Sequence, residues 1–321
     1  MFKIEGCYRF ITHQQTLVAT SVYRQKLEDL AKSDRAGKVI TDEDYPTELF
    51  ALKPQQTEIS PLVLIGGMGA LAGIVGLESA CQMFGSTREI ILLQACTLPN
   101  RTTAMFQMSQ QGQKGSLVQQ LILMLAEAIA VAVGNVQSED TPVRVVVLCN
   151  AAHCFLPLVW QRLKVSNPEL SQKIQSISLI ESTVQYLLKR GLQRPLLLCS
   201  NATRWGKIYS NLLAKHNLEL LEPNETLQLT LMNSIYRGVK AFDRNFACQT
   251  GNKFWLELLE TQVNADCIIA GCSEIPSLLS WIEAESESRV GQFLSSKEII
   301  DPVYLALKKS AIDLPVAIAR Q

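Results

Sequence analysis

The sequence predicts an α/β protein: parallel sheets covered by helices on both faces. Two observations predict it. From Pro61 onward, short β-branched runs alternate with longer stretches of helical periodicity. The runs are apolar throughout rather than alternating, as strands buried on both faces require. A chain of 321 residues is long enough for two ordinary domains.

The elements follow in order. Residues 1–60 are polar and mixed, with no repeat and no low-complexity tract. Ala51–Pro61 (ALKPQQTEISP) reads as a linker. Strands are expected at Leu62–Ile65, Glu89–Leu93, Val143–Leu148, Ser178–Ile180, Pro195–Leu198, Leu218–Leu221 and Cys267–Ala270. Helices are expected at Ala70–Phe84, Gly115–Val133 and Leu227–Phe246, with a return helix over Asp301–Ile312. Leu117–Val133 imitates a membrane span. It carries Gln119, Gln120 and Glu127 and is barely long enough to cross a bilayer, so it reads as a buried helix.

Composition narrows the function. Thirty basic residues balance thirty acidic ones, so no overall field favours nucleic acid or an anionic membrane. Nine cysteines stand in no CxxC or CxxH pairing. With no signal peptide at the start, reduced thiols and a cytoplasmic setting are expected.

In parallel α/β sheets, ligands bind beyond the carboxyl ends of the strands. The residues just after each strand therefore carry the information. After the first comes GGMGALAG, Gly66–Gly73. Gly67, Gly69 and Ala72 fit a dinucleotide fingerprint only loosely. The second strand ends in Leu93-Gln94-Ala95-Cys96, without the acid that would hold a ribose. A glycine turn whose N–H groups approach a small carboxylate fits better, and a tight turn without a ligand fits as well. After the second strand comes LPNRTTAM, where Arg101 is either a carboxylate holder or a solvated loop residue. After the third comes Cys149-Asn150, with His153 close behind, and after the last comes GCSEIP with Cys272. Both cysteines end apolar strands and precede small polar residues. They lie far apart in the chain, so each belongs to a different sheet. A thiol at such a place can have its thiolate stabilised by a helix N-terminus. The other seven cysteines read as small buried hydrophobes.

The set GGMG, LPNRT, CNAAH, IYRGVKA and AGCSEIP resembles the aspartate/glutamate racemase superfamily, most closely its aspartate racemase branch. The resemblance covers roughly residues 61–310 and keeps motif order. It implies two similar three-layer α/β/α subdomains with parallel sheets and an active site in the cleft between them. It implies a first lobe of residues 61–160 plus 287–321, a second lobe of 161–286, and an N-terminal extension, 1–60, of unknown role. It implies interconversion of L- and D-aspartate, or glutamate, without pyridoxal phosphate or metal. The catalytic pair is then Cys149 and Cys272, with Arg101 and Lys240 holding carboxylates. Gly67, Met68, Gly69, Thr102, Asn150, Thr203 and Ser273 are the further substrate contacts, and His153 and Glu274 support the thiols. The partner is a small acidic amino acid, with no nucleic acid and no membrane, and the protein is expected as a homodimer by analogy. Racemisation removes the Cα proton and returns one from the opposite face. Two thiols flanking the carbon serve both faces, and a thiol's ordinary pKa is low enough to tune toward neutrality. Backbone N–H groups after Gly66, Cys149 and Cys272 are candidates to stabilise the developing enolate.

The sequence departs from the family pattern at several points. Ala151 stands where a threonine is usual, Ala70 and Gly73 where proline and threonine are, Asn100 where aspartate is, and Pro302 where a hydroxyl residue is. In the second lobe, Cys199-Ser200 stands for Ala-Thr. These changes keep two other readings open: an isomerase of another small amino acid or diacid, and a descendant that binds without turnover.

Overall fold

The computed structural model describes residues 3–34, 45–57, 59–137, 141–261, 263–285 and 289–312. The chain opens with β1 (Gly6–Phe10), α1 (His13–Asp34) and β2 (Glu48–Leu52). Next come β3 (Ile59–Gly66), α2 (Ala70–Phe84) and β4 (Arg88–Gln94). Then follow α3 (Arg101–Gln111), α4 (Ser116–Gly134) and β5 (Val143–Val147). α5 (Leu156–Ser166), α6 (Pro168–Lys173) and β6 (Ile174–Ser176) complete the first sheet. Its order is β1-β2-β4-β3-β5-β6. Every pair in it is parallel except β2–β4.

The second part holds α7 (Leu179–Arg190), β7 (Pro195–Cys199), α8 (Asn201–Trp205) and α9 (Ile208–Ala214). α10 (Glu225–Asn233) runs into a π-helical turn, Ser234–Val239, before α11 (Arg244–Glu260) and β8 (Cys267–Gly271). α12 (Ile275–Glu285), α13 (Arg289–Ser295), β9 (Glu298–Ile300) and α14 (Pro302–Ser310) close the chain. Its sheet is β7-β8-β9, all parallel.

The apolar runs explain the layers. In the central strands, successive side chains point to opposite faces. Leu62, Leu64, Ile90 and Leu92 enter one core, while Val63, Ile65, Ile91 and Leu93 enter another on the far face. α4 lays Leu121, Leu125 and Ile129, all fully buried, into that second core. Among the described residues it is the one helix long and apolar enough to cross a membrane, and half of that window is buried inside the protein. A third core gathers around Phe254 and Trp255 behind β7 and β8.

Several expectations need correction. Residues 1–60 contribute β1, β2 and the first residues of β3 to the first sheet, and Ala51–Leu52 belong to a strand rather than a linker. Ser178 caps a helix: its hydroxyl accepts the Glu181 N–H, and the strand lies earlier, at Ile174–Ser176. That strand pairs with β5, so the first sheet reaches past residue 161. Leu218–Leu221 makes only an isolated bridge, Leu196 to Leu221. Of the return expected over 287–321, the described residues 289–312 do not simply rejoin the first lobe, and 287–288 and 313–321 lie outside the described residues. β9 pairs with β8 in the second sheet, because its short apolar run fits that open edge. The end of the described chain does dock on the first sheet. Arg88 Nη1 donates to Ser310 Oγ at 2.8 Å, and Arg144 Nη1 to the Ile312 carbonyl at 2.6 Å.

The topology places the carboxyl ends of β3, β4 and β5 opposite those of β7 and β8. Gly66, Gln94 and Val147 end the first three, and Cys199 and Gly271 the other two.

Candidate active site

One cleft between the two sheets is lined by Met68, Arg101, Thr102, Cys149, Asn150, Ala151, Ser200, Ile235, Tyr236, Lys240, Cys272, Ser273 and Glu274. It leaves about 20 Å³ for the centre of a water-sized sphere, room for about one water. The cleft is narrow.

The glycine turn after β3 forms one wall. Gly67 has φ +83°, and a Cβ there would lie 2.4 Å from the Ala95 nitrogen, so only glycine fits. A Cβ on Gly69 would collide with Glu274 Oε1 at 1.8 Å, so the carboxylate of the second lobe rests directly on this turn.

Arg101 is the first residue of α3, and Asn100 caps that helix by accepting the Thr102 and Thr103 N–H groups. Asparagine thus serves where the family has aspartate. Arg101 is 4% exposed. Its Nη2 donates to the Met68 carbonyl at 2.7 Å, and its Nη1 to those of Pro99 and Leu98 at 3.1 and 3.3 Å. Lys240 follows the π-helical turn, its N–H closing an i→i−5 bond to Ile235 at 2.9 Å. π-helical turns recur at functional sites because they re-aim a side chain. Lys240 Nζ lies 3.3 Å from the same Met68 carbonyl, 3.7 Å from Glu274 Oε1 and 5.0 Å above the Tyr236 ring. One backbone oxygen therefore lies between both cations.

Cys149 follows β5 and is buried. Burial pushes its thiol above the ordinary range. The Arg101 charge, the Ala152 N–H and Lys240 oppose that rise, while Glu274 adds to it. Cys272 Sγ donates to Glu274 Oε2 at 2.9 Å. Burial, then the Glu274 charge and that hydrogen bond, push this thiol well up. In this narrow cleft both sulfurs are thus held as thiols. The tuning toward neutrality expected of a helix N-terminus is outweighed by burial. The opposing cations act on Cys149 more directly than on Cys272.

Asn150 is held from behind. Tyr209 donates to its Oδ1 at 2.7 Å, and among the described residues its buried Nδ2 has no hydrogen-bond partner. That donor belongs to a residue lining the cleft. Ser273 Oγ donates to the Leu148 carbonyl at 2.9 Å, and Thr102 meets the Tyr236 hydroxyl at 3.1 Å. Both bonds cross from one lobe to the other.

Of the expected residues, Gly67 and Gly69 shape the turn that carries Met68 without lining the cleft themselves, and Thr203 and His153 sit elsewhere. Thr203 is buried behind the cleft wall, 3.3 Å from Ser200 Oγ, and it is Ser200 that lines the cleft. His153 does not address a thiol. Its Nε2 accepts the Leu179 N–H at 3.1 Å, so its Nδ1–H donates to the Cys149 carbonyl at 2.9 Å. Burial lowers its pKa to about 4, against a rise from that carbonyl bond, and the ring is neutral. Sequence reasoning missed Tyr209 and Tyr236, and it noted the Ser200 hydroxyl without counting it among the site residues. Tyr236 and Ser200 stand inside stretches already singled out, whereas Tyr209 carries no local signal. Among the described residues, no three of His, Cys, Asp and Glu gather as a metal site needs.

The fold is shared with solved racemases. The structure superposes on the aspartate racemase of Picrophilus torridus with a TM-score of 0.55 at 23% identity, over 78% of this chain and 94% of that one. It superposes on an aspartate racemase homologue from Pyrococcus horikoshii with a TM-score of 0.51 at 19% identity, over 79% and 98%. At such identities the likeness speaks for the fold. The Asp/Glu/hydantoin racemase model matches residues 78–309, which hold Arg101, Cys149, Asn150, Lys240 and Cys272 and leave out the glycine turn. That match spans well over half of the sequence, and the chain belongs to the Asp/Glu/hydantoin racemase family.

Proposed function

We propose that the protein is a cofactor-independent racemase of an acidic amino acid, aspartate or glutamate, working with two cysteine bases. The observation that carries this reading is the convergence of Cys149 and Cys272, from the ends of two separate sheets, on one cleft that also holds Arg101 and Lys240.

The chemistry follows from the neighbours. Both sulfurs rest as thiols, so turnover begins once Cys149, whose surroundings are the more cationic, has given its proton to solvent in the opened cleft; that thiolate takes the Cα proton of one enantiomer. Cys272 carries its proton toward Glu274 and is the thiol that gives one to the opposite face. After one turnover Cys149 is a thiol and Cys272 a thiolate, which is the state the other enantiomer needs. Glu274 is the group able to take the Cys272 proton directly. The substrate's carboxylate oxygens replace the Met68 carbonyl between Arg101 and Lys240, so each cation gains a charged acceptor in place of a neutral one. The free Asn150 Nδ2 donor is available to the enolate oxygen, where one such donor is worth roughly 100-fold or more in rate. Arg101 and Lys240 give the cleft two cations, which suits a substrate with two carboxylates.

The test is α-proton exchange. The protein is incubated in deuterated water with L- and D-aspartate, glutamate and neutral amino acids, and loss of the Cα–H signal is followed by NMR. Exchange confined to an acidic amino acid, and lost in both Cys149→Ala and Cys272→Ala, is expected. One feature favours a second reading, binding without turnover: both cleft cations already rest on the protein's own oxygens. Saturable binding of aspartate or glutamate without any exchange would select it over the racemase.

A further inference from the structure

Resting on the reading above, we infer that Tyr45 is a positioning residue for Lys240, and that the segment preceding the family-matched stretch is thereby a working part of the site. Tyr45 lies outside residues 78–309. It is 3% exposed. Its hydroxyl donates to the Lys240 carbonyl at 3.0 Å, a buried bond across 195 positions of sequence.

The anchor is rigid. Tyr45 stands three residues before β2, which pairs residue by residue with β4 from Glu48–Gln94 to Leu52–Ile90. The Glu5 N–H bonds to the Thr47 carbonyl at 2.8 Å and holds the intervening turn. A strand paired on both sides therefore fixes where the tyrosine hydroxyl is presented.

The object held is a turn that needs holding. Lys240 closes the π-helical turn. Two residues later Phe242 has φ +55°, a left-handed conformation that is unfavourable for a bulky side chain. The Tyr45 ring meets the Phe242 ring edge-on at 6.2 Å. The same side chain thus grips the lysine's backbone with its hydroxyl and the strained residue with its ring. Lys240 Nζ must reach the point between Met68 and Glu274. A lysine stem has four flexible bonds, so fixing its backbone narrows where the ammonium sits. Hydrogen bonds that hold a ligand-binding group from behind act in this way.

Tyr45→Phe keeps the ring and removes only the hydroxyl. In the exchange assay, KM for the acidic substrate is expected to rise about five- to tenfold, the effect of one buried hydrogen bond, with kcat within about twofold. In a Lys240→Met background, the same substitution is expected to change KM no further, because the two act as one unit. Tyr23→Phe is the control: that hydroxyl bonds the Pro46 carbonyl at 3.5 Å in the same segment and does not touch Lys240. Amide exchange across residues 236–243 should quicken in Tyr45→Phe and not in Tyr23→Phe. An unchanged KM in Tyr45→Phe overturns the proposal, as does an equal rise in the Lys240→Met background. If the wild-type protein turns over neither aspartate nor glutamate, the racemase reading falls and takes this proposal with it. An active wild type with an indifferent Tyr45→Phe sinks the proposal alone.

Discussion

Gly73 and Gln94 behave as one residue split between two elements. A Cβ on Gly73 would lie 1.9 Å from Gln94 Oε1, while Gln94 Nε2 donates to the Ala70 carbonyl at 2.8 Å. The amide fills the space that a side chain at 73 would take and stitches β4 to the start of α2. The threonine that the family resemblance places at 73 has no room here, so its absence follows from Gln94 rather than from decay of the site. Gly73→Thr alone should cost about 1–3 kcal/mol by overpacking, read from urea unfolding. Adding Gln94→Ser should return part of that loss, and strict additivity of the two changes would refute the coupling. Asn150 and Tyr209 are the second such pair. Tyr209→Phe removes the bond that orients the amide, so turnover in the exchange assay should fall about tenfold, the worth of one buried hydrogen bond. An unchanged rate would show that Asn150 needs no holding.

At the scale of elements, His153 is a clasp. It joins the turn carrying Cys149 to the first N–H of α7, and it does so only as a neutral ring. Its folded pKa of about 4 lies below the ordinary 6.5. Between those values the unfolded chain binds the proton and the folded one does not. Stability from this residue is therefore whole above about pH 6.5, falls as pH drops, and levels off below about 4. The loss is on the order of 3 kcal/mol. Comparing wild type with His153→Gln by urea unfolding from pH 7 to 4 isolates it. The variant should start weaker at pH 7 and lose less on acidification, and parallel curves would contradict the assignment. Elements were legible in the sequence where apolar periodicity and punctuation agreed. Ala70–Phe84 was read to the residue because glycines bracket a continuous helical pattern. Leu227–Phe246 was read as one helix because periodicity does not register the i→i−5 turn at Ser234–Val239. β1 and β2 were missed because one is a largely exposed edge strand and the other is a short run among polar residues. Cys149, Cys272, Arg101 and Lys240 were legible through local motifs. Tyr45 and Tyr209 were not, since each acts through a bond to a residue distant in sequence.

For the whole molecule the governing fact is the narrowness of the cleft. The cleft has room for about one water, so it must widen to admit an amino acid. Parting the lobes breaks Ser273 to Leu148, Thr102 to Tyr236 and Lys240 to Met68 in the cleft, and loads Tyr45 to Lys240 and Tyr209 to Asn150 behind it. Each neutral hydrogen bond is worth about 1 kcal/mol. Removing the first two with Ser273→Ala and Tyr236→Phe should shift the balance toward the open form by roughly tenfold or more. Tyr236→Phe keeps the ring beneath Lys240, so the cation is not released. The readout is the rate at which iodoacetamide alkylates Cys149 and Cys272, resolved by peptide mass spectrometry. Cys81 and Cys199 are buried outside the cleft, and desolvation pushes both thiols up, so they report any general loosening. A rise confined to Cys149 and Cys272 would identify the cross-lobe bonds as the latch. A rise shared by all four would mean that the double variant loosens the fold. Unchanged rates at the two cleft thiols would mean that the lobes part by a route these bonds do not control.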